Sequence, residues 1–192
     1  MRAHDLFPTR IWQARLKDRL PPLEGLVAAA LAMREAQPEP AGRTNRQGWN
    51  SSDMAVLARP EFSAIDRLVR EAVGLALGEM GEGGRPYRLQ SWVNLHDKGG
   101  FNFLHVHEGA YLSGCFYLRV PPGSGSLMFR DPRPGVVHGS VKGAVANGYR
   151  DIGLKPEDGL LVLFPCWLEH FVEPHAGEES RIVIAFNAEP PG

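Results

Sequence analysis

The hydrophobic pattern changes its period near Pro86, and that change limits what the chain can build. Before it, apolar residues recur at three- and four-residue steps, the spacing of one helix face. Leu23, Leu26, Val27, Ala30 and Leu31 predict a helix over residues 23–34, preceded by Pro21-Pro22 and stopped by Pro38 and Pro40. Phe62, Ile65, Val69, Ala72, Val73, Ala76 and Met80 predict a second, starting near Pro60 and ending at Gly81, Gly83 and Gly84. After Pro86 the period is two. Residues 110–120 place Ala110, Leu112, Gly114, Phe116, Leu118 and Val120 on one face, and Tyr111, Ser113, Cys115, Tyr117 and Arg119 on the other. Residues 125–129 read as a short strand. Residues 159–164 are apolar on both faces, as a strand covered on both sides requires. In residues 181–187, Ile182, Ile184 and Phe186 alternate with Arg181, Val183, Ala185 and Asn187.

Gly and Pro punctuate this second part: 27 of the 38 lie beyond residue 80. Short strands so separated suggest a β-sandwich or barrel. A chain of 192 residues suits a single domain, with 1–84 as helical support and 85–192 as the β core. The polar segment 42–53 and the irregular stretch 132–153 are the expected lid or specificity elements. With 21 basic and 22 acidic residues, the chain has no electrostatic footprint for nucleic acid. The longest apolar run, residues 26–33, is too short for a membrane span and starts too late for a signal peptide, so a cytoplasmic protein is expected. Two cysteines, Cys115 and Cys166, make no disulfide framework and read as packing residues.

His105-Val106-His107 is the sharpest chemical feature. In a strand, residues i and i+2 point to one side, so two imidazoles can reach one ion. His170, just past the doubly covered strand, can sit across a barrel from them. Three nitrogen ligands with open positions suit Fe, Zn, Cu or Ni. His96, His138 and His175 read as loop or surface groups, and Trp49 and Trp167 as packing residues, Trp167 with a chance to wall a pocket.

An ordered set of segments carries a resemblance. It comprises Asn102 before His105-x-His107, Leu112-Ser113-Gly114, Phe129-Arg130-Asp131-Pro132-Arg133, Phe164-Pro165 before His170, and Arg181 to Asn187. Gly48-Trp49-Asn50-Ser51 adds to it. Together they resemble the Fe(II)/2-oxoglutarate-dependent oxygenases, and most closely a bacterial subfamily related to prolyl hydroxylases. The resemblance implies a mainly β double-stranded β-helix, a cupin-like jelly-roll, with N-terminal supporting helices. It implies Fe(II) and the co-substrate 2-oxoglutarate, O2 as oxidant, and hydroxylation of an unactivated C–H bond with release of succinate and CO2.

By the same resemblance His105 and His170 are metal ligands, and His107 stands where relatives carry a carboxylate. Three histidines are favoured, with Asp131 or Glu108 as carboxylate alternatives. Arg181 matches the arginine that grips the distal carboxylate of 2-oxoglutarate, which suits a planar guanidinium fork. Asn187, Tyr117 and Asn94 are further candidates for the co-substrate. Asn102, Ser113, Asp131 and Trp167 are candidates for substrate contact or for supporting the ligands. The substrate is expected to be an amino acid, peptide or small metabolite; oligomeric state stays open, a homodimer being one option. Two other readings compete: a cupin-type three-histidine dioxygenase that does not use 2-oxoglutarate, and a metal-binding jelly-roll without activity. Trp167, Pro174 and Tyr111 occupy positions where cupin motifs expect Gly, Asn and Glu.

Overall fold

The computed structural model describes residues 1, 2, 4, 6–135 and 151–192. Nine strands form one curled antiparallel sheet: β1 (Trp12–Arg15), β2 (Asn45–Asn50), β3 (Arg88–His105), β4 (Leu112–Arg119), β5 (Leu127–Arg130), β6 (Asp151–Leu154), β7 (Leu160–Pro165), β8 (His170–Val172) and β9 (Arg181–Glu189). Their order is β1-β7-β4-β9-β3-β8-β5-β6, with β2 added along β3. This is the expected double-stranded β-helix. Two helices, α1 (Leu23–Ala36) and α2 (Ser63–Glu79), cover its outer face.

The period-two reading of β4, β7 and β9 becomes a division between two cores. Leu112, Phe116, Leu161, Leu163, Ile184 and Phe186 pack outward against Leu26, Ala30, Ile65, Val69 and Val73 of the helices. Cys115, Tyr117, Val162, Phe164 and Val183 point the other way, into the barrel, where Leu127, Phe129 and Val172 join them. At about 25 cal/mol per Å2 of apolar surface, each fully buried Leu, Ile or Phe contributes roughly 1.5–3 kcal/mol. All six residues of β7 are buried. Met80, placed on the apolar face of the second helix by its period, lies just past the end of α2 and is exposed.

The first 84 residues are not only helical support. β1 pairs with β7 and β2 with β3, so both extend the sheet. Trp49 is buried and donates its indole N–H to the carbonyl of Gln37 at 2.7 Å, tying β2 to the end of α1. The Gly48-Trp49-Asn50-Ser51 segment is thus a structural joint. A Cβ at Gly48 would lie 2.4 Å from the Leu95 carbonyl, and the Ser51 hydroxyl accepts the Val93 N–H at 3.0 Å.

β3 changes partners along its length. Residues 88–96 pair with β9, while Asn102 and His105 pair with β8. Gly99, at φ +84°, and Gly100 make the corner between these two stretches. A side chain on Gly100 would strike the carbonyls of Gln47 and Asp97. Among the described residues, no helix is long and apolar enough to cross a membrane.

Candidate metal centre

β3 ends at His105, whose Cα partner on β8 is His170. Phe129 of β5 is the next cross-strand partner of His170. His107 lies two residues past His105, and its main-chain N–H bonds the carbonyl of Cys166 at 3.0 Å, which draws it to the same side. The ring centroids of His105 and His107 are 5.0 Å apart, of His105 and His170 4.3 Å, and of His107 and His170 5.2 Å. One nitrogen from each ring lies within 4.8 Å of the other two. Among the described residues, these three histidines alone form such a group.

The hydrogen bonds of His105 and His170 show which of their ring nitrogens could bind a metal. His105 Nδ1 is 2.6 Å from the carbonyl of Phe103, and His170 Nδ1 is 2.9 Å from that of Leu168. A carbonyl only accepts, so each Nδ1 carries the proton and each Nε2 keeps its lone pair for a metal. The Asn187 amide lies 3.4 Å from His107 Nδ1 and also binds the Ser113 hydroxyl, at 2.9 Å. Ser113 and Asn187 are partners across β4 and β9, so the sheet register sets this support.

Burial keeps the three rings neutral. It lowers His105, pushes His107 down to about 4 and His170 down to about 3, with the neighbouring imidazoles adding to the shifts of His107 and His170. Neutral imidazole is the metal-binding form. Trp92 stands 5.8 Å from the His107 ring, and Phe164 packs edge-on to His170 at 4.6 Å, so apolar walls fix both rings.

The three histidines border a cavity of about 240 Å3. Asn94, Asn102, Tyr117 and Arg181 line it as well. Ser113 and Asn187 sit behind His107 rather than in the cavity wall. Trp167 is exposed and lies outside it. Asp131 is also outside, held by Arg133, and Glu108 is exposed; neither joins the histidine group. His138 and most of the 132–153 stretch lie outside the described residues.

Arg181 is 2% exposed, yet among the described residues no ion pair engages it. Its guanidinium lies 5.0 Å over the Tyr117 ring, and its Nη1 is 3.0 Å from Nδ1 of His96. Among the described residues, Arg181 Nε, Tyr117 Oη and His96 Nε2 are buried without a well-formed hydrogen bond, although Asn102 lies beside His96, and Cys115 and Arg181 beside the Tyr117 hydroxyl. His96 therefore corrects its surface reading: it is 0% exposed, on the interior face of β3. His175 is corrected too, being buried with Nε2 bonded to the Glu179 carbonyl at 2.7 Å. Sequence reasoning also missed Trp92 as a wall. The polar 42–53 segment did flag the region that supplies Arg43, Thr44, Asn45 and Asn50 to the cavity.

The curled antiparallel barrel brings three neutral histidines, able to hold a metal ion, beside a buried arginine that has no ion pair among the described residues. Residues 90–187, just over half the chain, match the family described as "Putative 2OG-Fe(II) oxygenase", and the chain belongs to that family. The family is one of Fe(II)- and 2-oxoglutarate-dependent oxygenases, in line with the first of the three readings. Its fold is similar to a Pseudomonas putida prolyl-4-hydroxylase, with a TM-score of 0.66, 19% identity, and 96% and 94% of the two chains covered. It is also similar to a Trichoplax adhaerens prolyl hydroxylase in complex with a hypoxia inducible factor peptide (TM-score 0.66, 13% identity, 93% and 83% covered). HygX from Streptomyces hygroscopicus, with nickel and 2-oxoglutarate bound, matches at a TM-score of 0.60 with 16% identity, covering 95% and 83%. Comparison with curated proteins gives no match.

Proposed function

We propose that the protein hydroxylates an unactivated C–H bond of an amino acid, peptide or small metabolite. His105, His107 and His170 hold Fe(II), and Arg181 grips the distal carboxylate of 2-oxoglutarate. The single observation that carries this is Arg181: a buried cation without a carboxylate among the described residues, in the wall of the same cavity as the three histidines. An isolated buried charge is costly, so such a group implies an anionic occupant.

When bound, iron and 2-oxoglutarate supply the oxidising chemistry with O2, releasing succinate and CO2. The chain's own residues bind, orient and exclude water. Arg181 presents Nε–H and Nη2 to the carboxylate, Nη1 being held by His96, and the Tyr117 hydroxyl beside the guanidinium is placed to donate a further hydrogen bond. Asn94 lines the same wall. Phe164, Val183 and Leu127 keep the pocket dry, which strengthens every charged contact within it.

Three neutral ligands leave the metal's charge uncompensated by protein, so the dianionic co-substrate supplies the missing negative charge. A cavity of about 240 Å3 is small beside the roughly 300–1,000 Å3 of drug-sized sites. It suits a compact keto diacid. The likeness to a prolyl hydroxylase bound to a peptide, and to HygX bound to hygromycin B, supports a peptide or small-molecule substrate. Succinate formation that needs both Fe(II) and 2-oxoglutarate is the expected result. No binding of 2-oxoglutarate by the metal-loaded protein, with no effect of Arg181→Ala, would overturn the reading.

A further inference from the structure

We propose that His96 is the positioning residue for Arg181, fixing the guanidinium for its anion while leaving its charge intact; this rests on Arg181 being the 2-oxoglutarate anchor. The two residues are direct partners across β3 and β9, and both are fully interior. Arg181 lines the cavity; His96 does not, and stands behind it. His96 therefore acts through Arg181 and not on the co-substrate.

The direction of the hydrogen bond sets the chemistry. Guanidinium has donors only, so the 3.0 Å contact makes His96 Nδ1 an acceptor and puts the ring proton on Nε2. The ring is neutral. Burial keeps it so, and the adjacent arginine charge works in the same direction.

A neutral acceptor does here what a carboxylate could not. An Asp or Glu would take two N–H groups of the fork and cancel the charge before the co-substrate arrived. The imidazole takes one N–H and no charge. Tyr117 supports the guanidinium from its ring face, and among the described residues Arg181 Nε stays without a partner. The result is an arginine held on two sides and still hungry for an anion. Without His96 the side chain keeps its charge but loses the bond that sets its rotamer, and alignment with a carboxylate in the cavity is lost.

The test compares two keto acids by calorimetric titration into Mn(II)-loaded protein. One is 2-oxoglutarate; the other is 2-oxopentanoate, which keeps the chelating end and carries a methyl group where the distal carboxylate stands. In His96→Leu the preference for 2-oxoglutarate should fall about tenfold or more, the scale of one hydrogen bond to a charged group. Affinity for 2-oxopentanoate should not change. His96→Asn, whose amide oxygen can accept from Arg181, should keep most of the preference. An unchanged preference in His96→Leu, or equal weakening of both keto acids, would overturn the role. Arg181→Met separates the two claims: if the preference survives it, the co-substrate reading fails. If Arg181→Met abolishes the preference and His96→Leu does not, only the role of His96 fails. Nitrogen NMR of the wild-type imidazole gives a check that needs no variant. An unprotonated Nδ1 at neutral pH supports the role, and a protonated one overturns it.

Discussion

Replacing Arg181 by methionine should weaken co-substrate binding about a hundredfold or more while leaving the metal-free fold about as stable as before. Arg181 is 2% exposed and, among the described residues, forms no ion pair. In the wild type its charge is therefore buried at a cost of several kcal/mol after relaxation. Two contacts offset that cost. The hydrogen bond to His96 contributes roughly 1.5–3 kcal/mol, as bonds to charged groups do. The stacking over Tyr117 contributes up to about 2 kcal/mol where water is excluded. Methionine has a similar reach and no charge, so it gives up both contacts together with the desolvation penalty. The net change should fall within about 2 kcal/mol of zero, set by how well His96 Nδ1 finds another donor. Urea unfolding of the metal-free protein measures the first half. Titration of 2-oxoglutarate into metal-loaded protein measures the second, where the loss should be about a hundredfold or more, the scale of a charged bidentate contact. A destabilisation of about 3–5 kcal/mol is the mark of breaking a buried ion pair. That result would show that Arg181 serves the fold, and would refute the reasoning.

Further outcomes follow from the same geometry. His170→Ala should retain less than about a tenth of the wild-type metal after dialysis, measured by elemental analysis, because only two of three convergent ligands remain; stoichiometric retention would exclude His170 as a ligand. The metal-free protein should lose stability as pH falls. Burial holds His96 down to about 3, so between about 6.5 and about 3 the unfolded chain takes up a proton that the folded chain refuses. Lowering pH from about 6.5 to about 4.5 should cost about 2–3 kcal/mol through His96 alone. His107 and His170 act in the same direction, and a thermal-melt series in which His96→Asn leaves the slope unchanged would contradict the assignment. Gly114→Ala should destabilise by about 1–3 kcal/mol in chemical unfolding, since its Cβ would lie 2.6 Å from the Val162 carbonyl and 2.5 Å from the Phe186 ring. A neutral result would mean that β4 and β7 can separate locally.

The elements that proved legible are those whose burial is apolar. α1, α2, β4, β7 and β9 each carry a periodic stripe of Leu, Ile, Val and Phe, and each stands close to its expected place. β2 was hidden because its buried residues are Asn45, Trp49 and Asn50, two of them amides. β1 is four residues long, too short for a period to declare itself. The same physics hid His96. In a barrel whose interior is a polar site, a polar side chain no longer marks the solvent face, so hydropathy assigns it to the wrong side. His105 and His107 escaped that error because i, i+2 spacing states geometry independently of polarity, and His170 because it follows the doubly covered strand in the ordered set of motifs. Arg181 was legible through its place in an ordered set of motifs. Its isolation from every described carboxylate, the property that gives it meaning, is visible only in three dimensions.

The supports of the histidines differ in how they can be inherited. His105 and His170 are each held by the carbonyl two residues earlier in their own chain, Phe103 and Leu168. A carbonyl survives any substitution at its residue, so the side chains at 103 and 168 can drift without unfastening these two rings. His107 leans instead on the Asn187 amide, which a single codon change removes. Divergence among descendants of this sequence should therefore concentrate its effects on the histidine cluster at the His107 corner, where the ring and its brace must change together.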